Sequence, residues 1–180
     1  GLPVDPDGTP ADIGAYYFDQ GGEMVDFSIR LNAGWNVISS PVQPPLLSIN
    51  AIFSEIVDNG NLIIVKSQRG RFYRPDQEFN NINGWDVRYG YWVKVVEDDE
   101  LIIVNRFVQE DIPIPLDEGW SIVAYFPERR VDVVQATEGI VDELNIIKDF
   151  QGRFYLPEYD FSNMTPLRRG SGYQVNVDDD

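Results

Sequence analysis

Short stretches of alternating apolar and polar residues, bounded by turn residues, recur along most of the chain. Phe27, Ile29 and Leu31 alternate with polar neighbours, and this period of two predicts a half-buried strand. Similar stretches predict further strands at residues 35–39, 62–66, 71–73, 91–96, 101–104, 120–124, 144–148, 153–155 and 173–177. The pattern therefore predicts a mainly β fold, a β-rich α+β arrangement of small sheets.

One stretch has the period of a helix instead. Its apolar residues fall on one helical face: Ile49, Ile52, Phe53 and Ile56. Ser48 precedes them as a candidate N-cap, and Asn59-Gly60 is a stop signal. A weaker helical stretch lies near residues 133–143, so each half of the chain is predicted to have one short helix.

Three blocks of sequence occur twice in the same order. Residues 26–35 match residues 111–120 at an offset of 85, whereas 70–75 match 152–157 and 90–91 match 172–173 at an offset of 82. We therefore predict two tandem homologous modules, residues 26–108 and 109–180, after an N-terminal segment, residues 1–25.

The first strand of the repeat differs between the two copies. Ile112, Ile114 and Leu116 keep the apolar positions of the strand, while Pro113 and Pro115 occupy its outward positions. Because proline has no N–H to donate, it is confined to sheet edges. We therefore predict an edge strand here.

Composition narrows the classes of function. The 14 basic and 30 acidic residues give a net charge of −16, and such a surface repels nucleic acid and anionic membranes. The chain has no cysteine and no histidine, which removes thiol nucleophiles, histidine-based triads and the usual zinc sites. We expect a non-enzymatic protein without an organic cofactor and without a membrane-inserted segment.

The residues Leu31-Asn-Ala-Gly-Trp-Asn-Val-Ile-Ser-Ser-Pro41, the Gly-x-Phe-Tyr block and the Gly-Tyr-Trp-Val-Lys strand resemble the "GWN-x-I-S-x-P" modules of bacterial and archaeal surface proteins. The resemblance covers residues 26–180 and is closer in the first copy, because the second lacks the Ser-Pro. Residues 5–16 are similar to the terminal segment of secreted right-handed parallel β-helix proteins. Both resemblances imply an extracellular or cell-surface, multi-domain prokaryotic parent, and neither brings a catalytic residue.

The N-terminal segment contains a candidate Ca²⁺ loop. Its oxygen-bearing residues are spaced around a glycine: Asp5, Asp7, Thr9 and Asp12, with Gly8 at the bend. The alternative is an Asp/Gly/Pro turn stiffened by Pro6 and Pro10. The acidic runs at 97–100 and 178–180 are interpreted as charges that protect strand edges, with a second cation site as the alternative.

Aromatic residues supply a candidate carbohydrate site. Trp35 and Trp120 are predicted to be core residues. Exposed aromatic rings stack on sugar rings, and the candidates for this role are Phe72, Tyr73, Trp85, Tyr89 and Trp92. Asn163 begins a glycosylation sequon, Asn-Met-Thr.

The boundary between the modules leaves two interpretations open. Tyr16-Tyr-Phe18 aligns with Leu101-Ile-Ile103 at the offset of 85. If each module begins with this strand, the chain is a closed monomer. If the strand completes the module before it, the second module has an open sheet edge and residues Ala15, Tyr16, Tyr17 and Phe18 form a free strand.

In the second case, one chain would complete the next by β-strand addition and build a filament. We therefore expect a structural or adhesive extracellular protein that binds itself. The alternative is a carbohydrate-binding accessory module of a secreted β-helix protein.

Overall fold

A computed structural model of the protein describes residues 23–178. The strands among these residues are Val25–Leu31 (β1), Gly34–Ile38 (β2), Leu62–Ser67 (β3), Phe72–Arg74 (β4), Phe79–Asn80 (β5), Tyr91–Val95 (β6), Asp99–Asn105 (β7), Gly119–Val123 (β8), Leu144–Lys148 (β9), Phe154–Leu156 (β10), Phe161–Ser162 (β11) and Tyr173–Val177 (β12). The helices are Ile49–Ile52 (α1), Ser54–Asp58 (α2) and Val133–Ala136 (α3). The prediction of a mainly β fold is confirmed.

The strands form two five-stranded antiparallel sheets and one two-stranded sheet. The first five-stranded sheet has the order β2-β6-β3-β4-β5, and the second has the order β8-β12-β9-β10-β11. These orders are the same when each strand is replaced by its counterpart in the sequence repeat. The remaining strands, β1 and β7, pair with each other along their whole length, from Val25 opposite Asn105 to Leu31 opposite Asp99.

Local hydrogen bonds also correspond between the two modules. The Phe72 N–H donates to Asn81 Oδ1 at 2.6 Å, and the Phe154 N–H donates to Asn163 Oδ1 at 2.7 Å. In each case the asparagine fixes the return of the chain from the short outer strand. Asn163 therefore has a structural role that Asn81 shares without a sequon, and its glycosylation stays a prediction.

The predicted first helix is interrupted. It consists of α1 and α2, which meet at Phe53, a residue with φ −100° and ψ 10°. Ser54 Oγ donates to the Ala51 carbonyl at 3.0 Å, and such a local bond competes with the helical ladder. Ser48 occupies the N-cap position, but its side chain makes no capping bond. The predicted inward face is correct, since Ile49 and Phe53 are fully buried.

The second predicted helix is shorter than residues 133–143. It comprises α3 and a 3-10 turn at Glu138–Ile140. Asp132 caps α3 by accepting a bond from the Val134 N–H at 3.0 Å. The segment is therefore one helical turn followed by a tighter turn.

The predicted edge strand at residues 112–116 is wrong. This segment, called the open segment below, belongs to no sheet in the described part of the chain. Pro113 and Pro115 remove two backbone donors, and no strand equivalent to β7 follows β12 within residues 23–178. With two donors removed and no partner strand among residues 23–178, the segment joins no ladder there.

The two modules meet through reciprocal backbone bonds. The Gly90 N–H donates to the Ile122 carbonyl at 2.8 Å, and the Gly172 N–H donates to the Val37 carbonyl at 3.2 Å. Gly90 corresponds to Gly172 in the repeat, and Val37 corresponds to Ile122. Each module therefore offers the same two pieces of backbone to the other, as the subunits of a two-fold symmetric dimer do.

Glycine is required at the centre of this junction. A Cβ at Gly90 would lie 2.5 Å from Ile122 Cγ2, 3.0 Å from the Ile38 carbonyl oxygen and 3.2 Å from Gly172 Cα. Two of these three atoms belong to the backbone, so no change of side-chain rotamer can move them away. Close packing of main chain on main chain is thus a constraint on the sequence at both glycines.

We predict that Gly90→Ala destabilises the protein by about 1–3 kcal/mol, because the added methyl group overpacks the junction. Gly139→Ala is the matched control, since a Cβ there meets no atom within 4 Å. Its effect should stay within about 0.5 kcal/mol. Urea unfolding of the three proteins measures both differences, and equal stability of the two variants would contradict the steric argument.

A second prediction concerns Tyr91, which is 3% exposed. Burial raises the pKa of its hydroxyl to about 12, although the Asp86 N–H donates to it at 2.7 Å. An unfolded tyrosine ionises near pH 10, so the unfolded state loses its proton first as the pH rises. This group therefore contributes its full stability below about pH 10 and loses it between about pH 10 and 12, by at most roughly 1.4 kcal/mol per pH unit.

The measurement is urea unfolding between about pH 8 and 11.5, compared with Tyr91→Phe. The variant should lose part of the alkaline slope while the other tyrosines keep theirs. An identical slope in both proteins would show that Tyr91 does not contribute to it.

Candidate functional site

The outward side of the first five-stranded sheet, called the outer face below, concentrates aromatic and cationic side chains. The strand register places Trp35 opposite Lys94, and Trp92 opposite Lys66. Lys66 in turn lies opposite Phe72. Since residues directly opposite each other point to the same side of a sheet, these five side chains share one face.

The rings on the outer face pack edge to face. Trp35 and Trp92 have centroids 5.9 Å apart at an interplanar angle of 90°. Trp92 and Phe150 are also 5.9 Å apart, at 75°. Phe150 comes from the turn between β9 and β10, so the second module completes a surface built on the first.

These rings border a shallow groove of about 420 Å³, called the aromatic groove below. Its lining residues are Trp35, Lys66, Trp92 and Phe150. The groove is open, and Phe150 is 40% exposed. Its chemistry is that of ring faces with one ammonium group and no carboxylate.

All three lysines of the chain lie over tryptophan rings. Lys66 Nζ is 5.4 Å and Lys94 Nζ is 5.5 Å from the centroid of Trp35, and Lys148 Nζ is 4.3 Å from Trp120. Within the described residues none of the three forms a salt bridge, although the chain carries 30 acidic residues. The lysine charges are therefore directed at rings rather than at carboxylates.

The second module keeps only part of this arrangement. Trp120 and Lys148 correspond to Trp35 and Lys66, and the ring pair Phe154–Phe161, 5.5 Å apart, corresponds to Phe72–Phe79. Trp92 and Phe150, however, correspond to Gln174 and Gln68. The tryptophan–lysine contact is thus present in both modules, but the aromatic groove is specific to the first.

Two predicted stacking residues are core residues instead. Trp85 is 3% and Tyr73 is 5% exposed, and Trp85 stacks on Tyr91 with centroids 4.2 Å apart. Tyr89 is half-buried and its hydroxyl donates to the Pro115 carbonyl at 3.1 Å. Of the five candidates, only Phe72 and Trp92 lie on the outer face.

The prediction that Trp120 is a core residue is also wrong, because it is 53% exposed. Trp35 is half-buried on the outer face. Each tryptophan follows a glycine at the start of its strand, β2 or β8. At that position in the strand the side chain points to the outward side of the sheet. The repeat itself carried the signal that was missed, since both copies keep a tryptophan and a lysine at matching positions. Phe150 carried no such signal, because its place depends on how the modules pack.

The open segment is a second candidate surface. In the first module, β7 pairs with β1, and Ile29 and Leu31 are 4% and 0% exposed. Their counterparts Ile114 and Leu116 are only half-buried. Ile114 packs against the core of the first module and Leu116 against the core of the second. The segment is thus held in place while part of its apolar surface stays open.

The acidic run at 97–100 links β6 to β7. Asp98 accepts a bond from the Ala33 N–H at 2.9 Å and lies 3.5 Å from the Arg30 guanidinium. The Ala33 N–H, more than Arg30, lowers the pKa of this carboxyl. Within residues 23–178, no three acidic side chains converge in a way that would hold a metal ion.

Some predictions fall outside the described residues. These are the candidate Ca²⁺ loop with Asp5, Asp7, Thr9 and Asp12, the strand Ala15–Phe18, and the chain end at 179–180. They stay predictions. None of the helices within residues 23–178 is long and apolar enough to cross a membrane.

Comparisons with known protein families, with curated proteins and with solved structures find no match to this chain.

We predict that Trp85→Ala lowers the free energy of unfolding by about 3–5 kcal/mol, because it opens a cavity beneath Tyr91 and Phe53. Trp120→Ala removes the same side chain from an exposed position and should cost less than about 1 kcal/mol. Chemical denaturation followed by circular dichroism compares the two variants. Similar losses in both would contradict the assignment of Trp85 to the core and Trp120 to the surface.

Proposed function

We propose that this chain is a non-enzymatic structural and adhesive module of a prokaryotic secreted or cell-surface protein, and that it assembles head to tail by β-strand addition. The observation that supports assembly most is the open segment. It repeats the sequence of β1, has within residues 23–178 no partner such as β7 is for β1, and leaves Ile114 and Leu116 only half-buried.

Proline restricts which side of the open segment can take a strand. The N–H groups of alternate residues in a strand point to the same edge. Pro113 and Pro115 remove donors from one edge, while Ile112 and Ile114 keep theirs for the other. An added strand therefore has one edge on which it finds both donors and acceptors.

The donor would be residues 15–18 of another copy. In the first module, Ile29 lies opposite Leu101, and Phe27 lies opposite Ile103. Carried over by the repeat, the same register places Tyr16 opposite Ile114 and Phe18 opposite Ile112. The donor strand would then run antiparallel to the open segment and cover its apolar side chains.

The apolar surface that the donor strand would bury is large enough to contribute to association. Each aromatic ring of the donor buries about 150–250 Å², and apolar burial contributes about 25 cal/mol per Å². Two rings and the new backbone bonds thus contribute several kcal/mol, against the entropy lost on association. A head-to-tail contact of this kind does not close on itself, so it produces open chains of molecules.

Composition supports the remaining parts of the proposal. A chain without cysteine or histidine lacks the residues that most catalytic nucleophiles and bases use. Its net charge of −16 keeps it soluble and favours extracellular surroundings rich in cations. The resemblance of residues 26–180 to surface-protein modules supports the location.

A second candidate function is carbohydrate binding, and the aromatic groove favours it. Open grooves lined by tryptophan and phenylalanine rings offer flat apolar faces to the C–H faces of sugars. The two functions are compatible, since the open segment and the aromatic groove use different residues.

We predict that the Tyr16→Asp/Phe18→Asp double variant abolishes assembly while Tyr17→Asp leaves it intact. Tyr16 and Phe18 correspond to Leu101 and Ile103, each 3% exposed, whereas Tyr17 corresponds to Ile102, which is 49% exposed. An aspartate at position 16 or 18 should therefore prevent strand addition, because its charge would be buried, whereas an aspartate at position 17 should be tolerated. Light scattering over a range of protein concentrations measures the mean mass of each variant. A full-length chain that stays monomeric at high concentration would overturn the assembly proposal.

Cysteine cross-linking tests the register, because the chain has no cysteine of its own. Tyr16→Cys combined with Ile114→Cys should give a ladder of chains joined by disulfides under oxidising conditions, since opposite residues lie within bonding distance. Tyr17→Cys with Ile114→Cys is the out-of-phase control. A disulfide confined to single chains would show that the strand closes its own second module, and no disulfide would exclude strand addition in this register.

A further inference from the structure

We infer that the aromatic groove binds an anionic polysaccharide, a polymer whose sugar rings carry carboxylate groups. The inference deepens the carbohydrate-binding candidate and rests on it, and it does not depend on assembly. Its basis is the combination, on one face of one sheet, of ring faces and of lysines that form no salt bridge with any described residue.

The rings give the groove its shape. Trp92 lies between Trp35 and Phe150, and it is nearly perpendicular to both, at 90° and 75°. The groove is therefore bordered by ring surfaces of different orientation rather than by one flat platform. Such walls can contact successive rings of an extended chain of pyranose units.

The lysines determine the charge of the ligand. Lys66 and Lys94 hold their ammonium groups 5.4 and 5.5 Å from the Trp35 centroid, and neither forms a salt bridge within the described residues. Lys66 is exposed and Lys94 is half-buried, so solvent and a ligand carboxylate can reach both side chains. A neutral sugar would use neither the ammonium group of Lys66, which lines the groove, nor that of Lys94, which lies over Trp35 beside it.

The negative charge of the rest of the protein does not prevent this binding. Repulsion between exposed charges is largely screened beyond about 8 Å at physiological ionic strength. Contacts between ligand carboxylates and Lys66 or Lys94 would lie well within that distance, so the net charge of −16 opposes them mainly through screened repulsion.

The second module provides an internal comparison. Trp120 and Lys148 are in contact there, but Gln174 and Gln68 replace Trp92 and Phe150. If tryptophan–lysine contacts only stabilise the sheets, both modules should behave alike. If the groove is a binding site, only the first module should respond to the ligand.

The experiment measures retention of the full chain in native gels containing polygalacturonate, its fully methyl-esterified form, or polyaspartate. The esterified polymer keeps the sugar rings and removes the charge, and polyaspartate keeps the charge and removes the rings. The variants are Lys66→Gln/Lys94→Gln, Trp92→Ala and, as the matched control in the second module, Lys148→Gln. Thermal unfolding confirms that each variant is folded.

We expect retention by polygalacturonate alone. Lys66→Gln/Lys94→Gln and Trp92→Ala should each weaken it at least about tenfold, and Lys148→Gln should change it less than about twofold. Equal retention by the esterified polymer would overturn the anionic ligand and leave carbohydrate binding standing. Equal retention by polyaspartate, or the same loss in Lys148→Gln, would overturn recognition of sugar at the groove. No retention by either sugar polymer would overturn both the inference and the carbohydrate-binding candidate.

Discussion

The arrangement of the molecule depends on the contact between two stretches of main chain at Gly90 and Gly172. Their N–H groups bond across the junction to carbonyls of the opposite module, at 2.8 and 3.2 Å. Because a Cβ at either position would meet backbone of the other module, the approach is available only to glycine. This contact fixes the two sheets relative to each other, and so it also brings Phe150 of the second module to Trp92 of the first.

Each module has a five-stranded sheet with the same strand order, and the two modules differ in the segments that accompany these sheets. The first has β7 paired with β1 in a two-stranded sheet, with Leu101 and Ile103 buried in its core. The second has the open segment, and its apolar cluster is correspondingly smaller. A similar asymmetry applies to the outer faces, where Trp92 is matched by Gln174. The proposed functions both reside in differences between the copies rather than in what the copies share.

The sequence predicted the elements whose pattern is local. Alternation identified β1, and the helical period identified the buried face of Ile49 and Phe53, because both follow from the geometry of a single element. It did not predict the break at Phe53, where Ser54 makes a competing bond to the Ala51 carbonyl. It also assigned Trp85 to the surface and Trp120 to the core, and both assignments are wrong. A lone tryptophan beside a turn has no periodicity to show which way its side chain points. The position of Phe150 could not be predicted from the sequence, since its neighbour Trp92 lies in the other module.

The reciprocal junction has a consequence for how the protein responds to dilution. Two separate subunits joined by the same bonds would dissociate as their concentration fell. Here a single chain carries both halves, so each half meets the other at a high effective concentration that dilution does not change. A molecule that is diluted into a large volume would therefore keep its two modules in contact. Only the proposed contacts between chains would then depend on the local concentration of the protein.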